Sequence, residues 1–76
     1  MKQEIIKALS ESGWTKYDED LFDKYFNGYT ITVSFYVKKC IVDIEDIEAE
    51  DVLCCYIEDI DHLKALIYGL TRIKEL

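Results

Sequence analysis

Residues 21–46 read LFDKYFNGYTITVSFYVKKCIVDIED. Two short runs rich in aromatic and β-branched residues flank Asn27-Gly28. A two-residue type I′ turn requires positive φ at both central positions, which Asn and Gly tolerate best. The turn sets the register: Phe26 faces Tyr29, Tyr25 faces Thr30, Lys24 faces Ile31, Asp23 faces Thr32 and Phe22 faces Val33. Side chains alternate across a strand, so Phe22, Phe26, Ile31, Val33 and Phe35 share one face. Asp23, Tyr25, Thr30, Thr32 and Ser34 share the other. With Lys38-Lys39 as the second turn, Phe35 faces Val42, Val33 faces Ile44, Ser34 faces Asp43 and Thr32 faces Glu45. Both hairpins then turn their apolar residues to one side, which a one-residue slip would undo. Lys-Lys is a weaker turn pair than Asn-Gly.

Upstream, residues 2–11 have the spacing of a short amphipathic helix with Ile5, Ile6 and Leu9 inward. Gly13 closes it as a C-terminal cap. Trp14 to Tyr17 reads as a first strand, and Asp18-Glu19-Asp20 as the bend into Leu21. Downstream, Ile47 to Asp51 reads as a loop or distorted turn. Val52 to Ile57, VLCCYI, is apolar on both faces. Weak helix formers favour a strand there. Ala49, Leu53, Ile57, Ile60, Leu63 and Ile67 also fall at helical spacing, so a helix stays open. Asp59 or Asp61 caps a final helix whose inner stripe is Ile60, Leu63, Leu66, Ile67, Leu70 and Ile73. Arg72 and Lys74 then fall in its last turn, where they suit the dipole. Gly69 weakens that helix unless it marks a close crossing. The expected architecture is an α+β two-layer sandwich. An antiparallel meander of three to five strands carries both helices on one face and leaves the other to water.

The chain has 76 residues, half of them hydrophobic, with no proline and three glycines. That predicts one domain, residues 1–76, with a packed core. No run approaches membrane-spanning length. The first residues, MKQEIIKALSESGW, lack the pattern of a signal peptide, so a soluble, cytoplasmic protein is expected. Cys40, Cys54 and Cys55 are too few and too close to frame disulfides or a metal cage, so they are expected as free thiols, at least one in the core.

The formal net charge is −7. It disfavours direct nucleic-acid binding and anionic membranes, and it points to a basic protein partner. Nine acids and no Lys or Arg lie between Cys40 and Leu63, while the rest of the chain holds seven acids and nine bases. Asp43 and Glu45 sit two apart on one strand face, and Asp23 joins them from across the sheet. Asp46, Glu48, Glu50 and Asp51 extend the charge at the sheet's end, and Tyr25 and Tyr36, with Tyr29 or Tyr56, add aromatic area. Two readings stand: a solvated acidic face, or a surface whose field meets a cationic partner.

Catalytic signatures are missing. His62 is the single histidine and reads as a surface residue of the last helix; nothing orients a Cys55–His62 pair. The stretch Asp43 to Asp51 lacks the glycine of a calcium loop. Neither enzymatic activity, a cofactor nor a metal is expected. Size, acidity, the helix–meander–helix order and the acids from Asp43 to Asp61 resemble the small anti-defence inhibitors of phages and mobile elements, of which anti-CRISPR proteins are one group. The resemblance spans the chain as architecture, without a residue motif. It implies a phage-encoded inhibitor acting in the host cytoplasm, in some members as a nucleic-acid mimic occupying a basic groove. The candidate contact residues are Asp23, Tyr25, Tyr36, Asp43, Glu45, Asp46, Glu48, Glu50 and Asp51. An immunity-type adaptor that acts by ordinary packing, and a homodimer built through the open face or an edge strand, are the alternatives.

Overall fold

Asn27 and Gly28 adopt φ of 41° and 96°, the left-handed pair that a type I′ turn demands. The computed structural model describes residues 2–76. Its order is α1 (Lys2–Glu11), β1 (Thr15–Asp18), β2 (Leu21–Phe26), β3 (Tyr29–Phe35), β4 (Cys40–Asp46), β5 (Asp51–Ile57) and α2 (Ile60–Thr71). The strands form one antiparallel sheet in the order β1-β2-β3-β4-β5. The Asn27-Gly28 hairpin has the expected register throughout, from Phe26 opposite Tyr29 to Phe22 opposite Val33. Val52 to Ile57 is strand, not helix, within β5.

The second hairpin differs from expectation. Phe35 pairs with Cys40, Val33 with Val42, Thr32 with Asp43 and Thr30 with Glu45. The bend is therefore centred on Val37-Lys38, one residue earlier than Lys38-Lys39, and the Tyr36 N–H donates to the Lys39 carbonyl at 2.8 Å. Moving a turn by one residue moves each partner by two, which leaves both faces unchanged, so alternation cannot distinguish the two registers. Packing decides: Cys40 is buried beside Phe35, and the Lys39 ammonium lies 5.6 Å from the centre of the Tyr36 ring.

Phe22, Phe26, Ile31, Val33, Phe35, Cys40, Val42 and Ile44 line the inner sheet face and are buried. Ile5 and Leu9 of α1 and Leu63 and Ile67 of α2 close over them in one cluster. The fold is α+β with both helices on the same side of the sheet. At the β1 margin, the indole N–H of Trp14 donates to the Leu76 carbonyl at 3.1 Å. Lys24, on the inner face, lays its ammonium 5.2 Å from the Phe26 ring centre and donates to the carbonyls of Ser12 and Leu76.

Three local expectations change. Strand β1 runs Thr15–Asp18 rather than from Trp14. Helix α2 ends at Thr71, because Arg72 turns into the left-handed region at φ 64° and its N–H donates back to the Tyr68 carbonyl. Arg72 is thus the cap, and Lys74 lies outside the helix. Gly69 marks no close crossing, since a Cβ there would meet nothing within 4 Å. Among the described residues, no helix is long and apolar enough to cross a membrane.

Candidate functional site

The outer sheet face is built from the alternate residues of every strand. One cross-strand row is Thr15, Asp23, Thr32, Asp43 and Cys54. The next is Tyr25, Thr30, Glu45 and Val52. Neighbouring strands lie about 4.8 Å apart, so Asp23 and Asp43 are separated by roughly 9.5 Å across Thr32. Glu45 stands one row on, roughly 6–7 Å from Asp43. Three carboxylates thus share a flat patch with the exposed Tyr25 ring. Thr32 separates Asp23 from Asp43 and Thr30 separates Tyr25 from Glu45; Glu45 is exposed, and Asp23 and Asp43 are half-buried.

The turn at the end of this patch holds the remaining acids. Glu48 and Glu50 are exposed in the bend after β4, and Asp51 opens β5. Asp46 plays a different part. It faces Asp51 on the inner-face parity, and its Oδ1 accepts from the Glu48 and Ala49 N–H groups at 3.1 and 3.2 Å. It builds the turn rather than standing bare. Glu50 holds φ 58° there.

Charge that is contiguous in sequence divides in space. Strand β5 carries the chain back across the sheet, so Glu58, Asp59 and Asp61 lie at the opposite end from Glu48 and Glu50. Asp59 caps α2 there, its Oδ1 accepting from the His62 N–H at 2.8 Å. Among the described residues, the ion pairs join Lys2 to Asp20 and Lys7 to Glu11, and neither touches an acid of the patch.

The tyrosines also divide. Tyr25 belongs to the acidic rows. Tyr36 stands beyond β3 at the far end, roughly 20 Å along the strand from Thr30, under the Lys39 ammonium. Tyr56 joins it on the outer face, 5.5 Å from the same ammonium. Tyr29 turns inward and packs against the core. Of the two alternatives the sequence offers, Tyr56 and not Tyr29 lies on the open face, and Ile41, Val52 and Cys54, which sequence reasoning did not place there, complete a band beside it. Alternation within VLCCYI carried that signal, but it needed the β4 partner to say which residues face outward.

The thiols are held protonated. Burial pushes Cys40 up to about 11. Cys54, opposite Asp43, is raised by hydrogen bonding to that carboxylate, then by partial desolvation and the carboxylate's charge. Desolvation, followed by the Asp43 charge, raises Cys55. Nucleophilic and metal-binding chemistry requires the thiolate, which this surroundings disfavours. Among the described residues, no three His, Cys, Asp or Glu side chains are grouped to hold a metal ion.

No family model, no curated protein and no solved structure matches this chain.

Proposed function

We propose that this protein is a small acidic inhibitor that binds a basic protein surface, with the outer sheet face as its contact. Asp23, Asp43 and Glu45, with Glu48 and Glu50 beyond them, would stand where the phosphates of a nucleic acid stand in a basic groove; Asp51 pairs with Asp46 on the inner-face parity and lies outside this array. Tyr25 would supply packing area among the charges. The observation carrying this reading is the cross-strand array: three carboxylates in two adjacent rows of an open sheet, with no ion pair to any of them among the described residues. Like charges placed together across a sheet destabilise it. Lysine interspersed among them would give the same solubility without that repulsion, and a cationic partner supplies the missing neutralisation on binding. Defence effectors that grip nucleic acid through a basic channel are the partner class this chemistry suits best.

Capture from lysate tests the reading. The wild-type chain should retain basic nucleic-acid-binding proteins at low salt, release them as salt rises, and lose them to added duplex DNA or RNA. The pair Asp43→Lys and Glu45→Lys should abolish capture, while Glu4→Lys and Glu11→Lys on α1 should leave it intact. A captured set that ignores both salt and the Asp43/Glu45 reversal would sink the mimic reading and favour an adaptor acting through ordinary packing.

A further inference from the structure

The end of the sheet opposite the acidic bend carries a different kind of surface. Its last inner row is Phe35, Cys40 and Ile57, and Ile5 of α1 joins them in the core. Between this row, the start of α1 and the turn after β3 lies a pocket of about 330 Å³ floored by these four side chains. That volume falls at the lower end of the range for small-molecule sites, roughly 300–1,000 Å³. The Cys40 thiol keeps its proton and packs as a small hydrophobe. The rim is apolar as well, although it faces water: Val37 is 99% exposed, Tyr56 61% and Tyr36 53%. Exposed apolar side chains gathered around a recess mark a place where a ligand docks.

Charge selects the occupant. The charged residues of the lining are Lys2, Lys38, Lys39 and Glu58, three bases to one acid in a chain with nine bases and sixteen acids. Among the described residues, Lys38 and Lys39 form no ion pair. Lys39 holds its ammonium 5.6 and 5.5 Å from the ring centres of Tyr36 and Tyr56, both of which line the pocket. Lys2 places its ammonium 5.8 Å from the Phe35 ring centre. It also pairs with Asp20 at 2.8 Å, an exposed contact of a kind that contributes little in water. Asp59, next along the chain from Glu58, is engaged in capping α2. We propose that this pocket binds a small organic anion with an apolar tail, of the medium-chain carboxylate class. The tail lies against Phe35, Cys40 and Ile57, and the carboxylate stays at the mouth within reach of Lys38 and Lys39. The site lies at the other end of the sheet from the acidic bend and does not depend on the acidic-face reading.

Octanoate is the probe, followed through the backbone amide shifts of the isotope-labelled chain at low salt. It should shift the amides around Ile5, Phe35, Cys40 and Ile57 with a dissociation constant of about 1 mM, as expected of so small a ligand. Acetate, which lacks the tail, and octylamine, which reverses the charge, should each bind there about ten-fold more weakly or less. Lys38→Glu combined with Lys39→Glu should weaken octanoate by about ten-fold. Both side chains are exposed, so the variant keeps its fold, which an otherwise unchanged spectrum verifies. Octanoate at ~10 mM that leaves these amides unmoved overturns the proposal. So does octylamine that binds there as well as octanoate, or octanoate binding indifferent to the double reversal. Asp43→Lys with Glu45→Lys should leave octanoate binding in place, which separates this outcome from that of the lysate experiment.

Discussion

Gly69 and Cys40 show what a single residue contributes when its surroundings are known. Gly69 lies in α2 with ordinary negative φ and open space where a Cβ would go. Gly69→Ala should therefore stabilise the fold by about 0.5–1 kcal/mol, the helix-propensity difference, seen as a higher urea midpoint. Loss of stability would mean that the helix bends or is approached there. Cys40 makes a pH prediction. Its thiol ionises near 9.0 in an unfolded chain and near 11 in the fold. Between these values the folded state binds more protons, so stability falls as pH rises through the window and is unaffected below it. Urea midpoints of the wild type and Cys40→Ala measured across that window should diverge, with the steeper fall in the wild type. Parallel curves would show that the thiol ionises equally in both states.

At the scale of elements, the two ends of α2 were legible to different degrees. An aspartate before an apolar stripe announces the start, but Asp59 and Asp61 are equal candidates in the sequence. The hydrogen bond from the His62 N–H assigns the cap to Asp59. Asp59→Ala should cost about 1 kcal/mol, while Asp61→Ala forfeits only a dipole contribution of about 0.3–1 kcal/mol. Equal losses in thermal unfolding would contradict the assignment. The far end is not legible in the sequence, because Arg72 has no glycine-like signature. Its left-handed backbone is imposed by the chain folding back over the core, with Thr71 helping: its hydroxyl donates to the Ile67 carbonyl and accepts from the Ile73 N–H. The hairpins repeat the contrast. Asn27-Gly28 encodes its turn locally, whereas Val37-Lys38 has no preference strong enough to exclude the neighbouring pair.

For the whole molecule the consequence of the fold is electrical. The sheet gathers Asp23, Asp43 and Glu45 on one open face and puts Glu48 and Glu50 at its end. Ionic strength should accordingly raise the thermal midpoint, most steeply between low salt and ~0.15 M, where the screening length falls from tens of ångströms to about 8 Å. Glu45→Gln should flatten that response. A midpoint that falls with salt would mean that the acids are internally compensated.

Local chemistry and strand alternation were enough to determine the hairpin at Asn27-Gly28, the inner and outer sheet faces, the helix on each side of the meander and the presence of acids on the open face. Each depends on neighbours a few residues apart, so sequence contains the information. Tertiary structure alone decided the register of β3 against β4, the exposure of both faces of β5, the employment of Asp46 in a turn, and the separation of Glu58, Asp59 and Asp61 from the other acids. Those properties follow from which distant segments pack together, and a two-residue shift or a strand reversal leaves every local preference satisfied.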